Sequence, residues 1–492
     1  MKKYIYVGGG FDPSDLLYVL PIIEGYIAKK KIFLLFNKSE LQNFRNYLKK
    51  SKLKLNNNEI LNNAKIIDPT KIRFKFLIFV LIKIIKNINY FFQLIFNFSY
   101  KEKDFKSKFS HFFWDSCMNN LNDKQLKPPF RIKIYNLIKL LYSEAVFENI
   151  IKSSNIKSAF MGHAVYSHGI AIEVFKKNNI PTFVQQNFCV FDLPRFKDNH
   201  WSYANKLLFK RIKKKIQKKN IFKFWKLRMS GNLNDADYLK ASKISKNKKY
   251  KIPKNVVFLH VMKDSPFATI DKTRIFFDYY QWIIETIKIL KDSNEMWSLR
   301  IHPNSYPWGE NTYTVMKEME KKYFNGKLPS NVIIDNKFAS NLEVFKNISR
   351  CVTFNGTASI EASCYGIKPI IISDNALSEV DKNYVFKPRN IEQYKKLLLK
   401  ESDDNCFIQK KNVIEESKLL LFAIYNILSF KRDLNIERLF RNTSIINREQ
   451  NFKKLIKKTN LNFIRSKLIQ MGSLLRSKQK KTLSFKYIDL LK

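Results

Sequence analysis

Hydrophobic and polar positions along this chain alternate between two patterns. Short apolar runs bounded by turn residues mark strands, and apolar residues three and four apart mark helices. The opening reads strand, Gly-rich turn, helix, strand: KYIYVGGG, DPSDLLYVLPIIEGYIAK, KIFLLFN. Asp12 or Ser14 can cap that helix, with Pro13 near its first turn. From 40 to 150 the pattern is helical and irregular, and at 157–187 a second strand–helix–strand unit follows, KSAFMGH, SHGIAIEVFKKNN, IPTFVQQN. A fresh series then begins. NVVFLHV, WSLRIHP, NVIIDN, RCVTFNG and KPIIIS read as strands; FFDYYQWIIETIKIL, LEVFKNI, TASIEASCYG and NIEQYKKLLLK read as helices. Strands alternating with helices predict parallel, doubly wound α/β sheets, here two in series with a cleft between them. The expected organisation is a first domain over 1–240 with a helical insertion at 71–150, a second over 252–430, and a helical tail over 431–492.

Composition changes this picture in three places. The 492 residues carry a formal net charge of +48, which attracts nucleotides, polyanions and anionic membrane surfaces. Lys206 to Arg228 holds eleven basic residues and no acid, and 453–492 holds twelve with Asp489 as the single acid. The most apolar stretch, 74–98, is interrupted by Lys83 and Lys86, so it suits a helix lying in a membrane interface or packed under neighbours rather than a span. Five scattered cysteines form no CxxC pair and no disulfide framework, and no secretory signal is evident; both suit a reducing, cytoplasmic setting. No zinc spacing, Walker motif or GxSxG occurs, so metal and acyl-enzyme chemistry have no support. Nor is there a nucleic-acid-binding motif.

Four constellations carry candidate chemistry. Arg300, His302 and Pro303 end a strand, where side chains face the ligand crevice of a parallel sheet; His302 can donate to a phosphate oxygen as a nucleotide leaves. Asn355, Gly356 and Thr357 turn from strand to helix, and backbone N–H groups there can hold an anion. Ser359 lies in that helix. Glu361, four residues after Thr357, shares its face and suits ribose hydroxyls or a base amine. His260, Lys263, Asp264 and Ser265 lie in the first strand-to-helix loop of the second domain and can reach the diphosphate or sugar end of a donor. In the first domain, GGGFDPSD does not match GxGxxG, and its Gly9 and Gly10 can instead admit an acceptor chain. Asp12, Asp15, His163, Tyr166 and His168 are the titratable groups on the first-domain loops. Asp12 and His163 are candidates for a base, and Tyr166 and His168 for acceptor contacts; the pattern does not choose among them.

With those residues in view, RIHP at 300–303, VTFNGTASIEASCYGIKPIII at 352–372, FLHVMKDSPF and GHAVYSHGIAIEVFKKNNIP resemble the bacterial capsule polysaccharide biosynthesis proteins. That group is similar to the GT-B glycosyltransferases that use CMP-activated acidic sugars such as Kdo. The resemblance implies a GT-B fold of two Rossmann-like domains and metal-independent transfer of a sugar to a glycan hydroxyl. It implies His302 and the 355–357 turn at the nucleotide phosphate and Glu361 at the ribose. Ser359 stands where a Gly is frequent. The implied partners are a nucleotide-sugar donor as co-substrate with no further cofactor, a lipid-linked or oligosaccharide acceptor, and the anionic inner-membrane surface. Two alternatives stay open: a CDP-polyol phosphotransferase of teichoic-acid type, and a non-catalytic polyanion- or membrane-binding protein.

Overall fold

The computed structural model describes residues 3–10, 32–51, 65–67, 74–96, 108–186, 189–192, 253–264, 274–303, 309–335, 341–399 and 404–426, with a few short pieces between them. Two sheets organise it. The first holds β1 (Lys3–Gly8), β2 (Ile32–Asn37), β3 (Lys65–Ile67), β4 (Asn155–Met161), β5 (Thr182–Gln186) and β6 (Cys189–Asp192) in the order β3-β2-β1-β4-β5-β6. Its pairings are parallel except that of β5 with β6. The second holds β7 (Asn255–Phe258), β8 (Trp297–Arg300), β9 (Val332–Asp335), β10 (Arg350–Thr353) and β11 (Ile370–Ile371), all parallel, in the order β11-β10-β7-β8-β9. Counted within its own sheet, the first set runs 3-2-1-4-5-6 and the second 3-2-1-4-5, the Rossmann order. The strand order therefore reverses between β1 and β4, and again between β7 and β10. This is an α/β fold of two Rossmann-like domains, the GT-B arrangement.

Burial explains why these stretches are strands. Every residue of β7, β8 and β10 is buried, as expected for parallel strands covered on both faces. Between β1 and β2, Leu16, Leu20 and Ile23 are helical and buried, at the spacing of one helix face. The remaining helices of the first domain are α1 (Lys38–Ser51), α2 (Phe74–Lys86), α3 (Ile88–Phe96), α4 (Lys108–Asn119), α5 (Phe130–Ser153) and α6 (Tyr166–Lys177). Those of the second are α7 (Tyr279–Leu290), α8 (Thr312–Tyr323), α9 (Asn341–Asn347), α10 (Ala358–Cys364), α11 (Ala376–Val380), α12 (Ile391–Leu398) and α13 (Lys411–Asn426). Asp278 starts α7 by accepting the Gln281 N–H at 2.8 Å. Tyr394 fastens α12 to α7: its hydroxyl accepts from Trp282 Nε1 at 3.0 Å and lies 2.8 Å from Thr286 Oγ1.

The two domains share apolar packing. Met118, Leu121 and Leu126, from the end of α4 and the loop after it, join the core around β7 and β8. Trp114 of α4 meets Phe277 edge-on at 5.3 Å. Phe209 and Phe224, from the strongly basic segment, pack with α13, Phe224 lying 5.6 Å from Phe422. Most of that segment, the proposed boundary near 240–252 and the 431–492 tail lie outside the described residues.

Within the 74–98 stretch, α2 and α3 are bent by 85° against each other, and no single helix among the described residues is long and apolar enough to cross a membrane. Phe76, Val80, Phe91, Leu94 and Ile95 face the core. The buried Lys133 ammonium of α5 donates to the Ile95 carbonyl at 2.6 Å, meeting one of the carbonyls left open at the end of α3.

Candidate active site

Ligands of doubly wound sheets bind beyond the carboxyl ends of the strands, where the strand order reverses. In the second domain the neighbouring strands β8, β7 and β10 lead into His302, His260 and the Asn355–Thr357 turn respectively. His260 joins the outer two. Its ring stacks on Tyr279 at 4.6 Å, and its Nε2 lies 3.2 Å from Thr353 Oγ1 and 3.5 Å from the Asn355 N–H that it accepts. Thr353 Oγ1 in turn accepts the Gly356 N–H at 3.3 Å. A Cβ on Gly356 would sit 2.9 Å from Thr353 Oγ1 and 3.3 Å from His260 Nε2, so glycine lets the turn close on the imidazole. Burial lowers the His260 pKa to about 3, with His302 the second cause. The ring is therefore neutral, and an accepting Nε2 assigns its proton to Nδ1.

His302 is half-buried, and desolvation lowers its pKa to about 4 against the opposing Asp264 carboxylate. It is a neutral N–H donor at pH 7. Thr357 precedes α10 without making a side-chain cap bond, and the Thr357 and Ala358 N–H groups have no partner among the described residues. An imidazole donor, a hydroxyl and two open amides thus lie along one edge of this sheet.

The first domain contributes from its own reversal point. Past β1, Gly9 and Gly10 take φ of 86° and 93°. A Cβ on Gly9 would meet Met161 Cε at 2.3 Å, and one on Gly10 would meet His168 Nε2 at 3.1 Å and His163 Cβ at 3.4 Å. Past β4, His163 lies with its ring 5.8 Å from that of Tyr166. Tyr166 has φ of 56°, a left-handed conformation that costs a bulky residue about 1–3 kcal/mol. Its hydroxyl donates to Asp264 Oδ1 of the second domain at 3.2 Å. Burial lowers the His163 pKa, Asp264 opposing, and His163 Nδ1 is buried with no hydrogen-bond partner among the described residues. Burial also lowers His168 to about 4, with His163 and Lys139 adding to the shift.

Asp264 is where the two halves meet. It bonds Tyr166 and acts electrostatically on His163 and His302. Its loop is fixed from below by the buried Glu310, whose carboxylate accepts the Lys263 N–H at 2.8 Å and the Thr312 hydroxyl at 2.5 Å. Burial raises the Glu310 pKa, and the bonds from Thr312, Met262 and Lys263 hold it down. The sequence points to Asp264 only as a loop residue facing a donor, and it gives no signal for Glu310. A lone acid beside a helix start reads as a cap.

Several expected contacts lie elsewhere. Arg300 is buried in an ion pair with Asp335 of β9, Nη1 to Oδ2 at 2.9 Å, and so braces two strands. Lys263 Nζ is paired with Asp123 at 2.5 Å. Ser359 is fully buried; its hydroxyl donates to the Gly356 carbonyl at 2.7 Å and accepts from Asn375 Nδ2 at 2.8 Å, so it shapes the turn from within. Glu361 is 3% exposed, with the Cys351 thiol and Tyr365 phenol in its field, and is not gathered with the open groups. Pro303 follows His302 as expected, half-buried, in a turn closed by Ser305 N–H to the His302 carbonyl at 3.0 Å. Asp12, Asp15 and Ser265 lie outside the described residues. Among the described residues no three metal-ligating side chains cluster.

No family profile matches the chain, and no curated protein sequence matches it. Solved structures to which the chain is similar include three. UDP-GlcNAc 2-epimerase from Neisseria meningitidis bound to UDP-GlcNAc is 9% identical, over 86% of this chain and 99% of that one, with a TM-score of 0.26. CalG4, the calicheamicin glycosyltransferase, is 9% identical over 86% and 94%, TM-score 0.31. MurG from Acinetobacter baumannii is 9% identical over 93% and 100%, TM-score 0.28.

Proposed function

We propose that the chain is a glycosyltransferase that takes its sugar from a nucleotide donor, the second domain holding the nucleotide and the first receiving the acceptor. The observation that carries this reading is the cluster where the two domains meet. Asp264 of the second domain is bonded to Tyr166 and electrostatically coupled to His163 of the first, while also acting on His302. In this reading the bond between the anomeric carbon and the phosphate oxygen breaks, and its electron pair stays on that oxygen. The His302 N–H and the Thr357 and Ala358 amides stabilise the charge that appears there. The acceptor hydroxyl oxygen bonds to the anomeric carbon and passes its proton to the neutral His163. Asp264 then faces the imidazolium so formed. The His302 N–H and the two amides are neutral, and they oppose the developing negative charge through the dipoles of their N–H bonds.

The finer assignment is a CMP-activated acidic sugar such as Kdo, transferred in the cytoplasm during surface-polysaccharide synthesis. It is supported by RIHP at 300–303 together with NGTASIE at 355–361. A thermal-shift panel with CMP, CDP, UDP, GDP and ADP tests it. Preferential stabilisation by CMP is expected, and preference for UDP or GDP would move the protein to another branch of the class. His302→Ala should lower turnover on the donor by roughly 10²–10³ and leave the fold intact. Unchanged turnover in that variant would overturn the transferase reading.

A further inference from the structure

The bent helix pair presents a surface that the candidate active site does not use. Phe74, Leu81, Ile85, Ile88, Phe92 and Phe96 are 52–77% exposed. The patch is continuous into the next helix: the Phe92 and Phe96 rings lie 4.4 Å apart, and Phe96 lies 5.5 Å from Phe130 at the start of α5. Soluble monomers rarely expose so many large apolar side chains side by side. Its charge is one-sided. Over 74–96 and 130–139 the exposed charges are the cations Lys75, Lys86, Arg131 and Lys139, while Lys83 is neutralised by an ion pair with Glu144 and Lys133 is buried against the Ile95 carbonyl. Lys86, Arg131 and Lys139 are exposed at its rim.

We infer that α2, α3 and the first turns of α5 form a docking face for an anionic phospholipid surface. The apolar side chains enter the interfacial layer, and the rim cations meet the headgroups. The two short helices, bent by 85°, can each lie in the plane of an interface rather than cross it. Charge argues for lipid over the other possible covers. A second copy docked face to face would set one cationic rim against another. The strongly basic 453–492 segment of this chain would meet the same repulsion. Headgroup phosphates complement the rim instead, at about fivefold in binding per basic residue.

The test is flotation of the full-length chain with vesicles of phosphatidylcholine alone, and of phosphatidylcholine with phosphatidylglycerol. It is run at low salt and at about 1 M salt, where screening to roughly 3 Å removes adsorption of the overall positive charge. The wild type should float with the anionic vesicles and remain largely bound at high salt. Leu81→Glu with Ile85→Glu should lose at least a hundredfold in partitioning, since each inserted side chain carries tenfold or more. Both positions are more than half exposed, so circular dichroism and the nucleotide-induced thermal shift should not change. Equal high-salt flotation of wild type and double variant would overturn the inference. So would a wild type that floats with neither vesicle but self-associates in sedimentation, with the double variant monomeric; that outcome gives the face to a second copy. Because the nucleotide response is read separately, failure here leaves the transferase reading intact.

Discussion

Arg300 and Asp335 face each other from register-paired positions of β8 and β9, both buried, and a substitution there reads stability rather than substrate contact. Arg300→Ala leaves the Asp335 carboxylate buried without its guanidinium, which should cost about 3–5 kcal/mol. Arg300→Met with Asp335→Leu removes both charges and should recover most of that loss. Urea unfolding of the two variants checks it; an Arg300→Ala protein as stable as wild type would put the side chain back in the crevice. The misplacement in the sequence reading has a simple origin. Residues two apart share a face only while the strand continues, and β8 ends at Arg300. His302 lies beyond it, in a turn with its own geometry. Gly9, Gly10 and Gly356 were legible because a missing side chain at a strand end has few other uses, and each has a close neighbour where a Cβ would fall. Ser359 and Glu361 were legible as helix residues. Which of their faces is covered depends on α11, α13 and β10 packed around them, and no local pattern encodes that.

At the scale of elements, the alternation of apolar runs and amphipathic segments located nearly every strand of both sheets. The exceptions are short or unusual. β3 has three residues, too few for a period to show, and β6 is antiparallel at an edge, outside the strand–helix alternation. The irregular helical region resolves into helices whose ends are set by tertiary partners, as with Lys133 on the Ile95 carbonyl. The loop after β7 depends on such a partner too. Glu310 accepts two bonds that tie the Met262–Asp264 loop to the start of α8, and a third from Met262. Glu310→Ala strands those donors in a buried place, at about 1–3 kcal/mol each if water does not reach them. The loop should loosen and Asp264 lose its aim. We expect turnover to fall at least tenfold, with faster hydrogen exchange at Met262 and Lys263; Glu310→Gln, which still accepts, should recover part of both. Normal turnover and exchange in Glu310→Ala would show that the loop is held by other means.

In the whole molecule, four of the six histidines, His163, His168, His260 and His302, gather where the two domains meet. They come from loops far apart in sequence, so their meeting was visible in advance only as two separate sets of strand-end residues; the contact depends on how the domains dock. Every one of them has its pKa lowered, burial being the first cause in each case. The unfolded chain then binds protons that the folded chain refuses. Stability is full above the unfolded value near 6.5 and is lost as the pH falls from there toward about 4, where the folded imidazoles begin to charge. Each strongly shifted group contributes at most about 1.4 kcal/mol of that loss at about pH 5.5, and roughly 1 kcal/mol once solvent screening of half-buried rings is allowed for. Denaturant midpoints measured between about pH 8 and 5 should fall steeply below about 6.5. His168→Gln with His260→Gln should flatten that limb by roughly 2 kcal/mol at about pH 5.5, because neither amide titrates. A bound nucleotide should oppose the trend in wild type, since phosphate beside His302 favours its charged form and ties donor binding to proton uptake. Equal acid sensitivity in wild type and double variant would place these rings in water, and the domains would then not meet as described.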